Sequence, residues 1–468
     1  MRPRSRWLAP SLFAASLLAV GCGGTGNDVA PDAAQGQAGD PPAGQKTRSG
    51  VSELTTPSER VDPKAVVDVV KEEIKGGEAT APKPTPLVLL YAEGDPKLVK
   101  DEPLVVPVPA GFPPLLPPAS NPMTVAKVEL GKQLYFDPRV SKDGTVSCAT
   151  CHNPEKAWTD NLPASIGIDG QIGSRNSPTV LNTAYGKTMF WDGRAPSLEG
   201  QAQGPIQNKI EMGDQSYGEI VERLRGIPGY KDQFAKVFGA EVTLDGMAKA
   251  IAAFERTALS GNSAYDKYTS GEQPKALTDS QKRGMILFGL RLDQDDDFQT
   301  DVVLKKANCT SCHAGFNFTD EEFHNLGVGY DEKASQFADV GRFAISPIGA
   351  KDPSESGAFK TPTVRDAART FPYMHDGSQK TLEEVVEHYD KGGTANPYLD
   401  PDMKKLNLTP TEKADLVEFM KALNGEEIKV ALPTLPPGPD GKAPDAAAAL
   451  TPPGPKAAMH FAHPAAIR

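Results

Sequence analysis

Between residues 243 and 259 the apolar side chains fall at Leu244, Met247, Ala248, Ile251, Phe254 and Ala258. That three-and-four spacing is one face of a helix. Similar spacing predicts helices over 126–135, 217–226, 278–289, 381–390 and 409–423, and a further one over 63–75. Strand-like alternation is scarce and short, so the fold class is mainly α. Between the helical stretches the pattern lapses in characteristic ways. Residues 23–60, rich in Gly, Ala, Asp, Gln and Ser, have no period and read as flexible. Residues 81–122 are proline-rich around an apolar patch at Leu87 to Tyr91, which predicts extended or irregular chain. Residues 293–301 read as a solvated acidic loop, and the Pro/Ala-rich stretch after about 428 as a disordered tail.

The 468 residues suffice for two ordinary domains with tails. The 43 prolines and 44 glycines gather toward the ends, which places compact structure in the middle. A net charge of −11 argues against nucleic acid, whose phosphates attract basic surfaces. Residues 1–22 read as an export signal: Arg2, Arg4 and Arg6 precede the apolar run Leu12 to Val20, which is too short to span a bilayer. The run ends Leu17-Leu18-Ala19-Val20-Gly21-Cys22, similar to a bacterial lipobox. Cys22 would then carry lipid and anchor a periplasmic protein to a membrane. The alternative is an ordinary cleaved signal with an incidental cysteine.

The other four of the five cysteines form two CxxCH motifs, Cys148-Ala149-Thr150-Cys151-His152 and Cys309-Thr310-Ser311-Cys312-His313. Covalent haem attachment needs two thiols spaced for two vinyl groups and an imidazole to bind iron from the same side. CxxCH supplies all three. A disulfide requires no histidine after the pair, and no further CxxC is present to complete a zinc set. Two haems c are expected, with His152 and His313 as iron ligands. The motifs stand about one domain length apart, which suggests one haem per domain.

From about Asn121 to Asn424 the chain resembles the bacterial di-haem cytochrome c peroxidase family, which includes MauG. The likeness rests on Leu130-Gly131-Lys132-Gln133-Leu134-Tyr135-Phe136-Asp137, on Arg175-Asn176-Ser177-Pro178-Thr179-Val180-Leu181-Asn182 and on Phe190-Trp191-Asp192-Gly193-Arg194. It continues through Gln201, Gly204-Pro205-Ile206, Glu211-Met212-Gly213, Phe318-Thr319-Asp320, Phe323-His324-Asn325-Leu326-Gly327 and Pro372-Tyr373-Met374-His375-Asp376-Gly377. The resemblance implies two cytochrome-c-like helical domains, each with one covalently bound haem c. The expected layout is a lipoprotein-type signal at 1–22, a flexible tether at 23–120, a peroxide-site domain at 121–270, an electron-transfer domain at 271–428 and a disordered tail at 429–468. It also implies that Gln201, Pro205 and Glu211 line the pocket opposite His152. A carboxyl there can carry a proton between the two peroxide oxygens. Gln201 would orient the peroxide and Pro205 would shape the pocket. Trp191 would lie between the haems, and Asn176, Thr370 and Pro372 would hold one calcium ion through oxygen ligands.

The sequence departs from the family pattern twice. Many members carry a histidine in the loop after the first motif that blocks the peroxide-site iron until the partner haem is reduced. Here Ile168 occupies that position, and no histidine lies between His152 and His313. An alkyl group cannot ligate iron, so the N-terminal haem is expected to be open at rest. Many members use a methionine as sixth ligand of the second haem. Here Tyr389 falls at that position, as in MauG-like members, with Met374 as the alternative. The leading expectation is a peroxidase reducing hydrogen peroxide with electrons from a small donor such as cytochrome c. A MauG-like enzyme that oxidises residues of a partner protein through two oxidised haems is the alternative, and a non-enzymatic electron carrier is the third.

Overall fold

A computed structural model describes residues 103–291, 298, 302–347 and 351–454. All of them lie in one compact unit, Pro82–Arg468, and a second unit, Met1–Ala81, lies outside the described residues. The expected signal at 1–22, Cys22, the tether as far as 102, the helix at 63–75, the patch at Leu87 to Tyr91, the acidic loop except Phe298, and residues 455–468 also lie outside them.

The helices are α1 (Val125–Phe136), α2 (Cys148–Cys151), α3 (Leu198–Gln201), α4 (Gly204–Gln207), α5 (Tyr217–Arg225), α6 (Pro228–Phe238), α7 (Leu244–Glu255), α8 (Ala264–Thr269), α9 (Asp279–Phe288), α10 (Leu382–Lys391) and α11 (Pro410–Ala422). Four short strands, β1 (Phe323–Asn325), β2 (Tyr330–Asp331), β3 (Gln336–Phe337) and β4 (Ala358–Lys360), form two antiparallel pairs, β1 with β4 and β2 with β3. The six helices that apolar spacing predicts among these residues are all present as α1, α5, α7, α9, α10 and α11. Each starts at a Ser or Thr whose hydroxyl accepts a backbone N–H of the first turn: Thr124, Ser216, Thr243, Thr278, Thr381 and Thr409.

Two apolar cores follow from two similar helix crossings. In the first, α1 meets α7 at Gly131, where a side chain would overlap the Ala250 carbonyl oxygen. In the second, α9 meets α11 at Gly284, where a side chain would overlap the Asp415 carbonyl. Only a residue without Cβ allows that approach. Phe254 packs beside the first crossing and Phe419 beside the second, and both are buried. The first core runs continuously to Leu259 and is rejoined by Leu435 and Ala446, and the second begins with Ala264, Tyr265 and Tyr268 of α8. The cores thus part some ten residues before the expected junction at 270/271.

Backbone bonds join the halves. Lys360 N–H donates to the Trp191 carbonyl (2.8 Å) and Asn176 N–H to the His375 carbonyl (2.8 Å). Arg175 adds an ionic bridge, with Asp192 at 2.7 Å on one side and Asp339 at 2.6 Å on the other.

Two segments expected to be loose are packed. Residues 103–120, the end of the expected tether, are extended and lie against both halves: the Phe112 ring sits 6.0 Å from Tyr185 and 5.0 Å from Phe316, under the Arg365 guanidinium. Residues 429–454, the start of the expected tail, fold back on the N-terminal half. Leu435 is 2% exposed, Arg139 donates to the Pro436 carbonyl (2.9 Å), and Thr150, inside the first CxxCH motif, donates to the Ala449 carbonyl (2.6 Å). Sparse apolar residues and main-chain acceptors anchor these segments, features that composition does not register. Leu435→Ala should therefore destabilise the protein by about 2–5 kcal/mol, the range for a buried leucine. Denaturant unfolding checks it, and a midpoint unchanged from wild type would mean that the segment is a free tail.

Candidate functional site

The first motif lies on α2, directly below the end of α1. Tyr135, fully buried on α1, donates its hydroxyl to the His152 carbonyl (2.7 Å) and fixes the chain where the imidazole leaves it. Trp158 packs on Tyr135 at 5.7 Å between ring centroids. The His152 Nδ1 is buried and has no hydrogen-bond partner, and burial lowers the imidazole pKa, so the ring is neutral and able to bind a metal.

The loop after this motif is pinned. Gly167 N–H donates to the Gln171 carbonyl (2.8 Å), and Ile168 N–H donates to the Glu211 carbonyl (3.0 Å). Ile168 is 5% exposed. The residue at the expected blocking position is thus packed against the turn that carries the expected acid–base carboxyl.

That turn, residues 208–213, follows α3 and α4, which bring Gln201 and Pro205 immediately before it. Asn208 organises it. Its side-chain oxygen accepts from Ile210 N–H (2.9 Å) and Glu211 N–H (3.2 Å), while its amide donates to Glu211 Oε1 (2.6 Å). Burial raises the Glu211 pKa above the ordinary carboxylate range, against the pull of Arg194. Arg194 is itself held by Asp192 at 3.0 Å and stacks on Phe190. Sequence reasoning missed Asn208; its one signal is an Asx-type residue placed to cap its own following turn. Met212, within the turn, is buried in the N-terminal core.

The second motif opens on a cavity of about 550 Å³ lined by Cys309, Cys312, His313, Met374, Tyr389 and Trp191. His313 Nδ1 lies 3.2 Å from the Phe318 carbonyl. As an N–H donor there it leaves Nε2 for a metal ion. Both expected sixth ligands, Tyr389 on α10 and Met374, face the same cavity, and burial raises the Tyr389 phenol pKa. Asn176, Thr370 and Pro372 line it as well. Trp191 donates its indole N–H to the Asn176 carbonyl (2.8 Å), so the expected relay residue and the expected calcium ligands form one connected wall.

His324, noted from sequence only as part of the resemblance, sits between Asp400 (2.6 Å) and Asp320 (3.0 Å). The neighbouring Cys312 thiol and the two carboxylates push its pKa up to about 10. Cys312, Asp320 and His324 place ligand atoms within 4.8 Å of one another. Cys312 belongs to a CxxCH pair, however, and a thioether has no anionic sulfur to give a metal ion. None of the four motif cysteines is in a disulfide. No helix among the described residues is long and apolar enough to cross a membrane.

The chain is similar to known proteins. The pattern of the di-haem cytochrome c peroxidase family matches residues 125–274. The methylamine utilization protein MauG of Methylorubrum extorquens is 40% identical over 321 residues, covering 68% of this chain and 84% of that protein. The cytochrome c551 peroxidase of Nitrosomonas europaea is 36% identical over 321 residues, covering 68% of this chain and 86% of its own. A solved MauG-like protein associated with microbial copper homeostasis superposes with a TM-score of 0.60 at 34% identity, covering 68% of this chain and 95% of that one. With identities of this size reaching across both CxxCH motifs, the chain belongs to the di-haem cytochrome c peroxidase family of oxidoreductases.

Proposed function

We propose that this protein is a periplasmic di-haem c-type peroxidase, lipid-anchored through Cys22, that reduces hydrogen peroxide to two waters with two electrons from a small donor protein such as a cytochrome c. The observation that carries the reading is the seat of Ile168, buried and hydrogen-bonded to the turn that holds Glu211. The residues at both motifs fit covalent haem. The thiols are unpaired, one imidazole has an orphaned buried nitrogen and the other is aimed by a carbonyl, and the second motif lines a large cavity.

When bound, the first haem supplies the iron at which the peroxide O–O bond breaks. The chain does the rest. Cys148 and Cys151 would hold the haem and His152 would bind its iron. Glu211, held by Asn208, takes the proton from the near peroxide oxygen and returns it to the leaving one. Gln201 orients the peroxide and Pro205 restricts the space beside it. Cys309, Cys312 and His313 would hold the second haem, and Tyr389 rather than Met374 would be the further side chain to bind its iron. Trp191 carries the electron between the halves. Asn176, Thr370 and Pro372 would bind calcium: the Asn176 amide N–H donates to the Leu162 carbonyl (2.8 Å), which leaves Oδ1 for such an ion. A second reading, MauG-like oxidation of a partner protein's residues, is favoured by the pairing of Ile168 with Tyr389 in one chain, since a phenolate stabilises the oxidised iron that such a reaction needs.

Glu211→Gln should leave both haems and the fold in place and lower peroxide turnover by about 10²–10⁴-fold, the usual contribution of a placed acid–base group. Because burial raises the Glu211 pKa, the wild-type reaction should weaken as pH falls through that raised value, and the Gln variant should lack this limb. Steady-state assays across pH check both; turnover within a few-fold of wild type would remove Glu211 from the acid–base role.

The resting state gives a separate test. Electron paramagnetic resonance of the oxidised protein should show one high-spin and one low-spin haem. Ile168→His should convert the high-spin signal toward low-spin and make activity depend on prior reduction. Two low-spin haems in the wild type would contradict an open site.

A further inference from the structure

α7 is apolar on its packed face except at its last residue. Glu255 is 5% exposed, and its Oε2 is buried with no hydrogen-bond partner. The natural counter-ion is elsewhere: Arg256, the next residue, makes a two-pronged bond to Glu199 at 2.7 and 3.0 Å. Glu199 also accepts from Asn121 (2.8 Å). The titratable and charged groups that bear on Glu255 are Tyr135 on α1, Cys148 on α2, Glu199 on α3, and Arg256. After burial, the Glu255 charge is the largest cause that raises the Cys148 thiol pKa, so the carboxyl lies within electrostatic reach of the first thioether position. An unpaired buried carboxyl destabilises the fold, and the chain could have avoided it with any apolar residue. Phe254, the residue before it, packs on Tyr135 at 5.1 Å between ring centroids, and the Tyr135 hydroxyl holds the His152 carbonyl, so the end of α7 that carries Glu255 is built against the first motif.

We propose that Glu255 is a redox-linked proton site of the N-terminal haem: it takes up a proton from solvent when an electron from the donor protein reaches that iron, and releases it when the electron leaves. This rests on the haem assignment made above. The electrostatics run one way. Ferric iron carries one more positive charge than ferrous iron and favours the nearby carboxylate, so the Glu255 pKa is lower in the ferric form and higher in the ferrous form. Between those two values, reduction binds a proton and the iron's potential falls as pH rises. Below both values the carboxyl stays protonated and above both it stays ionised, so the dependence vanishes outside the window. Burial, with Glu199 adding and Arg256 opposing, places the carboxyl's pKa at about 8, which sets the window near neutral to mildly alkaline pH.

The test is a spectroelectrochemical titration of the full two-haem protein across this pH range. The wild-type N-terminal haem should show a slope approaching one proton per electron. Glu255→Gln should abolish that slope, Glu255→Asp should keep it with a displaced midpoint, and Glu211→Gln should keep it. Redox-difference infrared spectra of the wild type provide a reading that needs no variant to fold: a protonated-carboxyl carbonyl band should change between the oxidised and reduced forms. A two-haem protein whose Gln variant keeps the wild-type slope, or whose infrared difference lacks such a band, overturns the proton site alone. A protein without haem at Cys148 and Cys151 overturns the haem assignment and the proton site together.

Discussion

The hydrogen bond from the Ile168 N–H to the Glu211 carbonyl ties together two stretches that the sequence separates by some forty residues. One is the loop after the first CxxCH motif. The other is the turn that presents a buried carboxyl. Because the bond is main chain to main chain, it fixes the loop whatever side chain stands at 168. The side chain then decides the chemistry. A histidine there would offer a ligand; isoleucine offers only bulk, and it is buried. Asn208 completes the arrangement by holding the Glu211 backbone and its carboxyl with opposite ends of one amide.

Around this contact the molecule repeats one construction twice. A helix before each CxxCH motif crosses a late helix at a glycine that lets backbone touch backbone, at Gly131 and at Gly284. Each crossing is backed by a buried phenylalanine, Phe254 or Phe419. Cores built this way tolerate little movement, since close-packed interiors transmit displacement rather than absorb it. Rigid halves joined through Asn176, Trp191, Lys360 and Arg175 suit electron transfer, in which groups must hold their separation.

Much of this was legible in the sequence. Six helices followed from apolar spacing because each buries one face, and burial is what the spacing records. The CxxCH motifs were legible because covalent chemistry fixes their spacing. What escaped depended on tertiary contact. Residues 429–454 look like a tail, yet Leu435 and the carbonyls of Pro436 and Ala449 dock them on the N-terminal half. Asn208 was passed over because a lone asparagine in a turn is ordinary until its partner is known. Glu255 was partly visible: it lies four residues after Ile251 and seven after Ala248, hence on the apolar face of α7. Its lack of a partner was not visible, because Arg256 stands beside it in sequence and bonds to Glu199 in space.

With Ile168 in place of a ligand, peroxide meets an open site in the fully oxidised protein. Stopped-flow absorption spectroscopy tests it directly, by mixing the diferric protein with one equivalent of hydrogen peroxide and no reductant. An open site should give an immediate change in the haem spectrum at a rate that rises with peroxide concentration. No spectral change until one electron has been supplied would contradict it.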